Sequence, residues 1–188
     1  MANRVYVYSS NKIPTKDSSI KSDRAKGIIE YNYNRCLAID CFCGAKTVKV
    51  ASSLIWPKST SIVSDFKEGM DLFIAVYTNL IKFKMFGINQ KYLSEWVSFL
   101  VKQKGKFFIT EFSELGDMKC NSIKCIVTEN NNEHYFAHSN AMELDKINKK
   151  LSGEKFSILN QEKQFKQYFT HTSKDEVTPY FSPHLYYS

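Results

Sequence analysis

Three observations predict an α+β fold for this chain, with a mixed or antiparallel sheet packed on a helical hairpin. The first is residues 4–8, a run of β-branched, aromatic and long-stemmed side chains (Arg4-Val5-Tyr6-Val7-Tyr8) closed by Ser9-Ser10-Asn11. The second is the recurrence of Phe66, Met70, Phe73, Ile74, Tyr77, Leu80 and Ile81 at intervals of three and four, the apolar stripe of a helix. The third is the order of elements: strand patterns at 106–110 and 123–128 follow the helix pair, and segregated helices and strands give this class.

Each element has its own local reason. The opening strand carries Val5 and Val7 on one face and Tyr6 and Tyr8 on the other, so it offers apolar surface to both sides and suits the middle of a sheet. Residues 10–27 are rich in Lys, Ser and Asp and read as a polar connection with Pro14 as its rigid point. Residues 28–33 fit either a strand or the approach to a helix through 34–43, which Gly44 would end. A short apolar stretch at 48–56 runs against Pro57, which biases Trp56 away from helical geometry.

Ser64, with Lys67-Glu68 downstream, is the expected cap of the first long helix, which runs to about Phe86 and stops at Gly87. Asn89 caps a second helix whose Leu93, Trp96, Val97 and Leu100 share a face before Lys104-Gly105. Beyond the strands, Asn130-Asn131-Asn132 predicts a hairpin turn to 134–136, because Asn tolerates left-handed backbone. A helix over 141–151, a return to the sheet at 156–159 and an amphipathic helix over 161–169 complete a single domain of residues 1–170. Residues 171–188 form a tail with Pro179 and Pro183.

Length and composition bound the function. At 188 residues and 43% hydrophobic, the chain can bury one core. It contains no apolar run of membrane-spanning length and no signal-peptide pattern, so a cytoplasmic location is expected. The five cysteines are odd in number and irregularly spaced, consistent with free thiols in a reducing compartment. A net charge of +7 invites a nucleic-acid reading, but only Arg4, Arg24 and Arg35 are arginines. Arg is the better residue for bidentate phosphate and base contacts, and an acidic protein partner explains the charge equally well.

The chemical motifs weigh against catalysis. Cys120, Cys125, His134 and His138 are zinc-ligand types, but eight residues separate Cys125 from His134 where a finger leaves about twelve. Cys36, Cys41 and Cys43 lack a neighbouring His and read as buried thiols. The seven glycines stand singly, so no phosphate-cradling loop can be drawn. Carboxylates such as Glu111, Glu114 and Asp40 read as solvated surface. No catalytic, cofactor-binding or metal site is assigned.

The opening Met1-Ala2-Asn3-Arg4-Val5-Tyr6-Val7-Tyr8 resembles that of small bacterial proteins that begin Met-Ala-Asn-Arg-Ser-Tyr-Leu-Tyr and occur among predicted immunity proteins of polymorphic toxin systems. The match includes no catalytic motif. The resemblance implies a protein that binds and neutralises a cognate toxin domain. The basic charge implies an acidic face on that toxin. A nucleic-acid-associated protein and an unrecognised hydrolase are the alternatives.

The residues that the core explains least well are Tyr180, Phe181, Leu185, Tyr186 and Tyr187, because a solvated tail should be poor in aromatics. Either they cover their own domain or they anchor a partner. Two prolines keep the segment extended and bar it from a central strand, which favours the partner, with Tyr180, Phe181, His184, Tyr186 and Tyr187 as contacts.

Overall fold

A computed structural model of the chain describes residues 4–32, 36–43, 49–56, 59–111 and 162–188. Their strands are β1 (Arg4–Ser10), β2 (Lys26–Asn32), β3 (Lys49–Ser52), β4 (Thr60–Asp65) and β5 (Phe107–Glu111). Their helices are α1 (Leu37–Cys43), α2 (Phe66–Lys82), α3 (Gln90–Lys102), α4 (Glu162–Tyr168) and α5 (Lys174–Val177). The expected strand at 123–128, its hairpin mate, the helix at 141–151 and the return at 156–159 lie outside the described residues. So do Cys120, Cys125, His134 and His138.

The sheet runs in the order β2-β1-β5-β4-β3, and each of these neighbouring pairs is antiparallel. The α+β class is therefore the one the sequence predicts, with β1 inside the sheet between β2 and β5. Alternation along β1 sorts its side chains as expected: Val5 and Val7 join the helix-side core, while Tyr6 and Tyr8 fall in a second apolar cluster on the opposite face.

Strand β4 is not announced by alternation. Ser61 and Ser64 are buried where a regular pattern would place apolar residues, and both are satisfied locally. The Ser61 hydroxyl donates to the Ser52 carbonyl (2.9 Å) and the Ser64 hydroxyl to the Phe42 carbonyl (2.6 Å). The cap of α2 accordingly shifts by one residue. Asp65 is extended, and its carboxylate accepts from the Glu68 amide at 2.9 Å, satisfying one of the free N–H groups at the helix start.

Helix α2 buries Phe66, Met70, Phe73, Tyr77 and Leu80, together with Gly69, Leu72 and Val76. Ile74, placed on the apolar stripe by spacing, lies at its margin and is exposed. Gly69 sets the approach of helix to sheet: a Cβ there would come within 2.9 Å of the Phe108 ring. That ring stacks between Phe42 (4.1 Å) and Phe66 (4.2 Å), tying α1, α2 and β5 into one core.

The helical hairpin also forms. Helix α2 stops at Lys82, earlier than the spacing predicts, because Lys84, Phe86 and Gly87 take left-handed backbone in the turn. Asn89 caps α3 through its side chain, which accepts from the Tyr92 amide at 3.1 Å. Trp96 of α3 meets the Tyr77 ring of α2 edge-on at 5.4 Å.

Candidate functional site at the C-terminal segment

The final residues wrap around the edge of the sheet. Phe165 in α4 and Phe169 just past its end pack on Phe83 (5.5 Å) and Phe86 (6.0 Å) beside the turn of the helical hairpin. Helix α5 begins with a reciprocal cap: the Glu176 amide donates to the Ser173 hydroxyl, and the Ser173 amide to the Glu176 carboxylate. Its backbone is held by two tyrosines. Tyr31 donates to the Asp175 carbonyl and Tyr77 to the Val177 carbonyl, each at 2.5 Å. Burial pushes the Tyr31 phenol up to about 12 and the Tyr77 phenol well above its ordinary value, so both remain donors at neutral pH.

Past the buried Pro179, Phe181 makes an antiparallel bridge with Ile29 of the edge strand β2, and the Ser182 amide donates to the Ile28 carbonyl at 3.0 Å. The prolines exclude a central strand but allow this single edge pairing. The Phe181 ring enters the helix-side core, parallel to Phe99 at 5.5 Å and near Phe73 at 6.0 Å. Pro183 then passes directly over Gly27, where a Cβ would lie 2.6 Å from the Pro183 carbonyl oxygen. On the opposite face Leu185 is buried, and the Tyr187 ring sits edge-on to Tyr6 (5.3 Å) and Trp56 (5.2 Å).

The five candidate partner contacts thus divide. Phe181 and Tyr187 face inward and support the segment. Tyr180 (61% exposed), Tyr186 (67% exposed) and His184 face outward. Tyr186 is held by Glu30 and Arg4. Its amide donates to one Glu30 carboxylate oxygen at 2.8 Å, the other oxygen pairs with Arg4 at 3.0 Å, and the Arg4 guanidinium lies 4.6 Å from the Tyr186 ring centre. Arg4 also donates to the Asn32 side chain at 3.1 Å.

Other candidates fall elsewhere. Cys36, Cys41 and Cys43 are buried around α1, and burial pushes the Cys36 thiol up to about 12, away from the thiolate a nucleophile needs. Among the described residues no three His, Cys, Asp or Glu side chains converge as a metal site, and no helix is long and apolar enough to cross a membrane. Glu111 departs from the expected solvated carboxylate: it is fully buried. The signal lies in strand alternation, since Glu111 shares a side of β5 with the buried Ile109.

Comparison of the chain with protein-family models, with curated proteins and with solved structures returns no match.

Proposed function

We propose that the chain is a binding protein and not an enzyme: a cytoplasmic immunity protein that neutralises a toxin domain exchanged between competing bacteria. Tyr180, His184 and Tyr186 contact the toxin, with Phe181 and Tyr187 beneath them as supports. The observation that carries this reading is the preset Tyr186, an exposed aromatic ring whose backbone and flank are already held by Glu30 and Arg4. A rigid tyrosine loses little conformational freedom on binding, which is why such residues dominate interface energetics. The resemblance of the opening residues supports the toxin assignment. The net charge of +7 supports an acidic partner face and fast capture by electrostatic steering.

The test is a binding isotherm between the full chain and a toxin domain encoded beside it, paired with an assay of toxin activity. Tyr186→Ala should weaken binding by roughly 30-fold, the effect of losing an aromatic hot spot, without lowering the melting temperature. An absent toxin-like neighbour, or a toxin left fully active by the chain, sinks the reading. Retention on heparin lost steeply with moderate salt would instead favour the nucleic-acid alternative.

A further inference from the structure

Three polar atoms on the sheet face away from the helical hairpin are buried without a hydrogen-bond partner: the Tyr8 hydroxyl, the Trp56 indole nitrogen and the second carboxyl oxygen of Glu111. Glu111 sits at the end of β5 opposite Tyr6, and its first carboxyl oxygen accepts from the Leu54 amide at 2.7 Å. Leu54 belongs to the β3–β4 turn. That turn is closed by the Ser53 amide donating to the Ser59 carbonyl and by the Ser53 hydroxyl accepting from the Ile55 and Trp56 amides. The same Trp56 carries the Tyr187 ring, so the turn that donates to the acid also touches the end of the C-terminal segment.

Burial of this carboxyl resists its ionisation and outweighs the hydrogen bonds from the Leu54 amide and Ser53, which favour the charged form. From β1 it meets Tyr6 and Tyr8, and Glu30 of β2 adds negative charge on the Tyr8 side. Tyr187 comes from the C-terminal segment and Ser53 and Leu54 from the turn. The β1–β2 connection contributes apolar Ile20 and Ala25 to the cluster, and β4 contributes Val63. Among the described residues no Lys, Arg or His pairs with Glu111. A buried carboxylate with one oxygen unmatched and no cation costs more than the neutral acid, which buries an unmatched polar group but no net charge.

The geometry points to a proton-operated latch: neutral Glu111 holds the β3–β4 turn, with Tyr187 seated on Trp56, and its ionisation releases the turn and the end of the chain. Burial raises the carboxyl to about 7, so the closed form keeps its proton where an exposed Glu would have lost it. Opening wets the acid and lets it ionise. The open form therefore gains as pH rises above the ordinary carboxylate range, and the gain levels off once the buried acid itself ionises.

Two measurements on the full chain test the latch. The first is a titration of the Glu111 carboxyl by isotope-labelled NMR, expected to show a midpoint well above the ordinary Glu value of 4.5. The second is hydrogen exchange at the Leu54 and Tyr186 amides, divided by the intrinsic rate at each pH. Their opening should increase on the order of tenfold or more between about pH 5 and about pH 8, while core amides such as Val7 keep their protection. Glu111→Gln keeps an acceptor for Leu54 but cannot ionise, and should flatten the increase. An ordinary titration midpoint, pH-independent opening at Leu54, or an unchanged slope in Glu111→Gln would overturn the latch. If Glu111→Gln does not fold, the two wild-type measurements decide alone.

Discussion

Phe181 and Leu185 lie on opposite faces of the sheet, with the edge strand β2 between them. The C-terminal segment is thus a clasp around an edge that would otherwise present unpaired backbone groups. Its inner residues pack into the domain, and its outer residues Tyr180, His184 and Tyr186 are exposed.

Deleting residues 180–188 removes Phe181 from one core cluster and Leu185 from the other. The expected cost is about 3 kcal/mol or more, comparable with truncating a large buried side chain. Denaturant melts of the full chain and of the chain ending at Pro179 measure it. An unchanged midpoint would mean that the segment adds nothing to the fold and serves a partner alone.

Gly27→Ala places a methyl group against the Pro183 carbonyl and Leu185. The obstacle includes backbone, so the segment must lift. Loss of protection at the Ser182 and Tyr186 amides is the expected outcome, with α2 and the central strands intact. Exchange rates equal to wild type would show that the clasp absorbs the methyl group in place.

Asp65, not Ser64, caps α2. Asp65→Ala should therefore cost about 1 kcal/mol, and Asp65→Asn should recover most of it. Urea denaturation of the two variants separates this from a role for the Asp65 charge alone, in which Asn would rescue little.

Stability should fall with pH through the Glu111 carboxyl. Its folded value of about 7 lies above the ordinary 4.5, so the folded state binds more protons in that interval. The contribution is fully present below about pH 4.5, declines as pH rises, and is lost above about pH 7; its upper bound is about 3 kcal/mol. The wild type minus Glu111→Gln difference in unfolding free energy isolates it. A difference that stays constant with pH, or grows as pH rises, contradicts the assignment.

Local chemistry carries much of the fold. Alternation in β1, three-and-four spacing in α2 and the Asn89 cap act within a few residues, so each can be read where it stands. Strand β4 escapes such reading because its buried serines are satisfied by carbonyls of β3 and α1, partners that only the folded chain supplies. The candidate site was legible in part: the aromatic excess of the last residues is evident, but which rings turn inward is not.

The sequence by itself determined the α+β class, the central place of β1, the helical hairpin and the need to cover the terminal aromatics, because these follow from periodicity and composition. Only the tertiary structure decided that Phe181 and Leu185 clasp β2, that Tyr186 stays outside on Glu30 and Arg4, and that Glu111 is sealed beneath the β3–β4 turn. Those outcomes depend on contacts between residues far apart in the chain, and burial of a polar group is set by what the rest of the fold places over it.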